Sequence, residues 1–456
     1  MIVQDKYGCD VTVSNRKSLQ FWNETLQGFL SHAAKTGPSL NQTLTIDPEF
    51  ALAHASAGLF NLLLGRRELF KIAQDKLKKA LESDAENPVT QRERHYIDAL
   101  SEWLEGKPSS AIFQMEKVLE TWPHDPLAMK MSQAIRFMLG DLRGMRSSLE
   151  NIMHVYGGHE AEGYFHGCYS FTLEESGEYA LAEKRGRKAL EIANDDAWGL
   201  HAVSHVFDMT GRAEDGLKWI MGKEAAWEHC NNFRYHVWWH IALMHLDLGQ
   251  FDKVLELYDE QIRKDKTDDY RDISNATSVL LRLEFEGVAV GNRWEELAEV
   301  SARRVNDNCV AFADLHYMMA LCNSEDTKPA TSLITNMQSC AEIHHHNEFS
   351  SAIKNPATLA AIGLEAFRDQ DFDRAHDYLQ RARPLMQDIG GSHAQRDIFE
   401  RLGIEAALNG GRITEAKHLL RERDLHRGHQ DYYSQSRWNV LQSSGTSTGT
   451  ERIGAA

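Results

Sequence analysis

Apolar residues along this chain recur at helical spacing. Phe372, Ala375, Tyr378, Leu379 and Ala382 fall at i, i+3, i+6, i+7 and i+10, one face of an amphipathic helix. Long stretches rich in Ala, Leu, Glu, Lys and Arg keep that spacing, and Val-rich alternating segments are missing. With only nine prolines in 456 residues to interrupt helices, the pattern predicts an all-α protein.

A phrase recurs on top of this periodicity: an apolar helix end, a tight glycine turn, then a second amphipathic helix. It occurs at Gly65, Gly106, Gly140, Gly177, Gly211, Gly249 and Gly291, with later versions near Gln370 and at Gly411. The steps from Gly65 to Gly291 are 41, 34, 37, 34, 38 and 42 residues. Helix pairs at that period are the signature of a tetratricopeptide-type α-solenoid stretched by loops. Asp47-Pro48, Asn87-Pro88 and Asp125-Pro126 read as the matching helix starts, a cap followed by proline in the first turn. The expected object is a right-handed superhelix of about nine to ten helix pairs over residues 1–442, either open or curled shut. One repeat should be degenerate or loop-interrupted near 323–356, where Pro329, His344 to His346 and Asn355-Pro356 fall. Residues 443–456, SSGTSTGTERIGAA, read as a disordered tail.

Charge and composition narrow the function classes. The chain carries 67 acidic and 50 basic residues, a formal charge of −17, with no basic stripe, so nucleic acid is not an expected partner. No apolar run reaches the roughly 18 residues of a membrane span, and the first forty residues show no apolar leader. Six cysteines without a C-x-x-C pair fit reduced thiols, and a cytoplasmic protein is expected.

The candidate chemistry lies on the first helices of three successive repeats, which would line a concave face. His201 and His205, and His236 and His240, are each spaced i, i+4, so both rings of a pair share a helix face. Counted back from the turn glycines, His201, His240 and Arg282 fall at similar heights, which predicts four imidazoles and a guanidinium together. Such a set could hold a divalent metal such as zinc through His201, His205, His236 and His240, and these four are also the candidates for catalysis. Without metal it would make an anion pocket with Arg282 as the bidentate partner, and Arg282 could equally pair with Glu284 or Asp272. The H-E-x-x-H zinc-protease pattern is absent, since Ala202 and Val237 follow the first histidine of each pair. Further ligand-binding candidates are Glu175, Asp272, Ser278, Asp314, His316 and Arg396. Of Glu174 and Glu175, only Glu175 falls in phase with the cluster. Asp314 and His316, two apart, cannot share a helix face.

A string of motifs runs along the chain: Gly163-Tyr164-Phe165-His166-Gly167 with Leu173-Glu174-Glu175, Asp196-Ala197-Trp198 leading to His201 and His205, and His236-x-x-Trp239-His240. It continues through Asp272 with Ser278-x-x-x-Arg282-Leu283, Phe312-x-Asp314-x-His316 and Gly390-Gly391-Ser392-x-Ala394-Gln395-Arg396-Asp397. In these motifs the sequence resembles the tetratricopeptide repeat protein 38 family. The resemblance implies a closed or tightly curved repeat fold and brings no reaction with it. An animal member of the family has Asp where this chain has Asn275. If the superhelix curls round, Arg396 and Asp397 could reach the same cavity as the histidines.

Two function classes follow. One is a small polar or anionic ligand held in a His/Arg-lined pocket, with or without a metal and with or without hydrolysis. The other is a non-catalytic interaction scaffold binding a peptide in its groove. Self-association into a homo-oligomer is a third possibility. An enclosed cavity would favour the first class, an open trough the second.

Overall fold

The computed structural model describes residues 1–343 and 347–446. The His344 to His346 run and residues 447–456 of the expected tail lie outside the described residues. Ser443 to Thr446 continue the last helix, Tyr432–Thr446, so the expected break at 443 comes too early.

Paired helices run through the chain, as the periodicity predicts. A short antiparallel hairpin, Ile2–Gln4 with Asp10–Thr12, precedes them. The turn glycines from Gly65 to Gly249 all have positive φ, between 60° and 83°. At Gly140, φ is +69° and a Cβ would stand 2.2 Å from the Gln387 carbonyl oxygen, so glycine is required there twice over. An earlier pair, Ser18–Leu30 with Thr36–Ile46, escapes the glycine count because His32 takes the left-handed position, at φ 59°. Gln370 does the same later.

Of the three expected Pro starts, one is a cap. Asp125 accepts from the backbone N–H groups of Leu127 and Ala128. The helix after Asn87-Pro88 starts instead at Gln91, behind a capping box of Thr90 and Glu93. The one after Asp47-Pro48 starts at Ala51, and Asp47 is spent accepting from Ser14 and Asn15 N–H. Around residue 350 the rhythm is interrupted by a short helix, Glu348–Ala352, and a cis Asn355–Pro356 bond.

The superhelix winds tightly. Residues 198 to 247 positions apart touch along much of the chain: Ser31 with His229, Ser109 with Glu348, Gly140 with Gln387, Glu175 with His393 and Asp208 with Arg427. One apolar core runs from Tyr7 to Ala406. The inner helices Ala197–Met209 and Ala311–Cys322 are buried on nearly every side, which is why they read as apolar all round. No helix among the described residues is long and apolar enough to cross a membrane.

Candidate functional site

Three neighbouring inner helices, Ala197–Met209, Phe233–Asp247 and Tyr270–Phe285, bring the two histidine pairs together. His201 Nε2 lies 2.9 Å from His205 Nε2 and 3.0 Å from His236 Nε2, and His236 Nε2 lies 3.3 Å from His240 Nε2. All four offer a ring nitrogen within 4.8 Å of the others. Four nitrogens at 2.0–2.1 Å from a tetrahedral zinc would stand about 3.3 Å apart, close to this spacing.

Neighbouring groups decide where the ring protons sit. Asn275 Oδ1, 2.8 Å from His236 Nδ1, accepts that proton and leaves the Nε2 lone pair facing the cluster. His205 Nδ1 faces Glu174 Oε2 at 3.5 Å. Nδ1 of His201 and of His240 is buried without a hydrogen-bond partner. Burial pushes His236 down to about 4, and burial followed by the His393 charge pushes His205 down to about 3. Burial and the neighbouring rings hold His201 and His240 well below the usual histidine value. Four neutral imidazoles are the form in which a metal can be bound.

His201 and His236 also edge a cavity of about 380 Å³. Its walls are largely apolar, with Phe60, Phe137, Trp198, Phe233 and Phe312 among them, and Arg271 and Asn232 add polar groups. His32 stacks between Trp198 and Phe233, at ring-centre distances of 5.4 and 4.6 Å. Lys130 lines the same space, 6% exposed. Its ammonium sits 4.7 Å over the Trp198 ring and 3.8 Å from Cys168 Sγ, and the buried Asp196 carboxylate is near enough for its charge to be felt. A buried ammonium with no carboxylate in direct contact is chemically suited to an anionic group.

The other expected site residues scatter around this centre. Arg282 does not join the imidazoles. Its helix ends at Phe285 with Gly287 as the left-handed residue, so counting from Gly291 set it a turn out of register. Its guanidinium lies 5.6 Å from the Trp239 ring centre, donates to the Ser278 and Ala394 carbonyls and sits 3.7 Å from Asp397, not beside Glu284 or Asp272. Ser278 accepts from Trp239 Nε1 at 2.9 Å and so fixes the indole stacked on His236. Asp272 accepts from Asn232 and Thr267 away from the cluster. His316 is a core histidine: Nδ1 donates to the Phe312 carbonyl at 2.7 Å, and its ring lies on Phe312. Asp314 is buried apart from the cluster, and burial raises its carboxyl well above the usual range.

The sequence phase singled out Glu175, but Glu174 is the carboxylate facing His205. Glu175 accepts from the backbone N–H of His393, 218 residues away, at 3.0 Å. His393 fills the unspecified position between Ser392 and Ala394 and carries no local signal of its own. Arg396 lies 3.7 Å from Glu175 and, with Asp397, lines a second cavity of about 390 Å³. The distant motif therefore does curl round: Gly390, Gly391, Ser392 and Gln395 line the same cavity as His201 and His236, while Arg396 and Asp397 face the neighbouring one. His245 faces Gln250 at the surface.

No family model matches the chain. Similar solved structures include the Naa15/Naa10 complex bound to HypK-THB, at 12% identity and TM-score 0.25, over 94% of this chain and 66% of that one. The chain thus spans just under two thirds of that protein. The Cut9–Hcn1 hetero-tetramer of APC/C is similar at 12% identity and TM-score 0.36, over 95% and 90% of the two chains. The TPR domain of P58(IPK) is similar at 14% identity and TM-score 0.21, over 84% and 88%. At those scores the repeat architecture rests on the helix pairs themselves.

Proposed function

We propose that this chain is a metal-binding helical-repeat protein that holds a small, largely apolar anion beside a four-imidazole centre. The observation that carries the reading is the convergence of Nε2 atoms from His201, His205, His236 and His240 at 2.9–3.3 Å. An all-nitrogen imidazole set suits zinc among common divalent ions, with copper and nickel as the nearest competitors. Lys130 would take the anionic group, and the aromatic walls the apolar body. Four imidazoles fill the four positions zinc ordinarily uses, so hydrolysis at this centre is not part of the proposal. The motif resemblance supports membership of the tetratricopeptide repeat protein 38 family and a single superhelical unit over residues 1–442. The six free thiols support a reducing, cytoplasmic setting.

Cobalt(II) titration of the tag-free chain tests the metal reading. A visible d–d band should appear with wild type and be lost in His236→Ala, His240→Ala with helical content unchanged. A band that survives the double substitution, or none with wild type, contradicts it.

The helix-pair architecture favours a second reading, partner-protein binding. It would use outer surfaces, because the inner helices are occupied with one another. A wild-type chain that takes neither metal nor a small anion would move the account to that reading.

A further inference from the structure

Beside the four imidazoles lies a second set of buried ligand-type atoms that the proposed function leaves unused. Glu174 is fully buried, and among the described residues its carboxylate is met by two imidazoles at angles too poor for good hydrogen bonds. His205 Nδ1 stands 3.5 Å from Glu174 Oε2, and His393 Nε2 stands 2.8 Å from Glu174 Oε1. Those two ring nitrogens are also buried without a hydrogen bond of sound geometry. Atoms this close whose donors and acceptors miss one another are turned toward a common point. Buried carboxylates and imidazoles left bare are costly, and a cation between them removes the cost.

The surroundings prepare the ligands as well. Glu175 Oε1 lies 3.0 Å from His393 Nδ1 and also accepts the His393 backbone N–H at 3.0 Å. That contact keeps a proton on Nδ1. Without metal, Glu174 and Glu175 outweigh burial and hold His393 protonated on both nitrogens, and a metal at Glu174 would displace the Nε2 proton and take that lone pair, the carboxylate–histidine arrangement that supports metal ligands. His393 also lines the 390 Å³ cavity, which gives the site an approach separate from the aromatic cavity.

We infer that Glu174, His393 through Nε2 and His205 through Nδ1 form a second divalent-metal site, joined to the four-imidazole centre through the His205 ring. The bridge rests on the four-imidazole reading; the site itself needs only its own three ligands. One carboxylate and two imidazoles are a zinc-type set with a position left open, here toward the charged cavity of Arg396, Asp397 and His426. With both metals bound, His205 carries a metal on each nitrogen. Its single ring N–H bond breaks, the proton passes to water, and the ring becomes a bridging imidazolate. Loading is therefore accompanied by proton release.

Elemental analysis of the tag-free full chain, stripped with chelator, equilibrated with zinc and freed of loose metal, tests the inference. Wild type should hold two zinc ions per chain. Glu174→Gln and His393→Gln, each measured separately, should hold one, and His236→Ala, His240→Ala should also hold one. A single zinc in wild type, kept in Glu174→Gln and His393→Gln but lost in the double variant, overturns the second site and leaves the first. It would mean that a protonated His393 clamped by Glu174 and Glu175 occupies this space. A single zinc lost in Glu174→Gln but kept in the double variant overturns the four-imidazole centre and leaves the second site. No zinc in wild type overturns both.

Discussion

His236 turns Nδ1 onto the side-chain oxygen of Asn275 at 2.8 Å, and that contact aims its other nitrogen at the neighbouring imidazoles. The amide oxygen accepts the ring proton here without adding charge. Asn275→Ala should weaken metal binding about 10- to 100-fold, the usual cost of removing such a support. Asn275→Asp should keep it within a few-fold. A chelator-competition titration measures both, and equal affinity for Asn275→Ala and wild type would contradict the role.

Lys130 is expected to set the charge of the cavity's occupant. Anilinonaphthalene sulfonate, an amphipathic anion, should bind the wild-type chain with enhanced fluorescence. Lys130→Met should bind it at least ten-fold more weakly with the melting temperature little changed. Equal binding by the two proteins would mean that the dye sits elsewhere and that Lys130 is not the receptor.

Closure of the superhelix can be weighed with two turn glycines. Gly177 has φ +79° with nothing near its absent Cβ, whereas Gly140 has φ +69° against the Gln387 carbonyl. Gly177→Ala should cost about 1–2 kcal/mol, the left-handed strain alone. Gly140→Ala carries the same strain and a backbone clash across 247 residues, so it should cost clearly more. Equal losses in urea denaturation would contradict close packing of successive turns.

Asp397 anchors the last repeats through Arg401 and Arg423, at 2.7 Å each. Burial alone would raise its carboxyl, but Arg401, Arg423 and Arg427 outweigh it and hold it well below the usual carboxylate range. Asp397→Asn should cost about 3–5 kcal/mol at pH 7, because it leaves buried guanidinium groups short of a partner. A depressed folded value means that this contribution is present above the unfolded carboxylate value near 4 and lost as pH falls below it. The gap between wild type and Asp397→Asn should therefore stay constant from pH 8 to 5 and narrow below about 4. A gap that widens in acid would contradict the assignment.

Local patterns carried much of this structure in the sequence. The i, i+4 histidine pairs and the glycine period placed four imidazoles on adjacent inner helices. Arg282 sits a turn out of the expected register because two glycines, Gly287 and Gly291, follow its helix and the earlier one closes it. Glu174 rather than Glu175 faces His205 because one residue is about 100° of helix rotation, less than the uncertainty of phases compared across unequal turns. His393 and Lys130 had no signal to offer. His393 reaches the cluster through the winding of the superhelix, which sets residues about two hundred positions apart side by side. Lys130 reaches it through the packing of a helix about seventy residues upstream, and neither approach depends on a local pattern.

The most direct test of the central claim is a crystal of the tag-free chain with anomalous data collected on both sides of the zinc edge. The account predicts a peak equidistant from Nε2 of His201, His205, His236 and His240, about 2.0–2.1 Å from each. Four rings hydrogen-bonded to one another around a centre with no anomalous signal, in crystals grown with zinc, would contradict it.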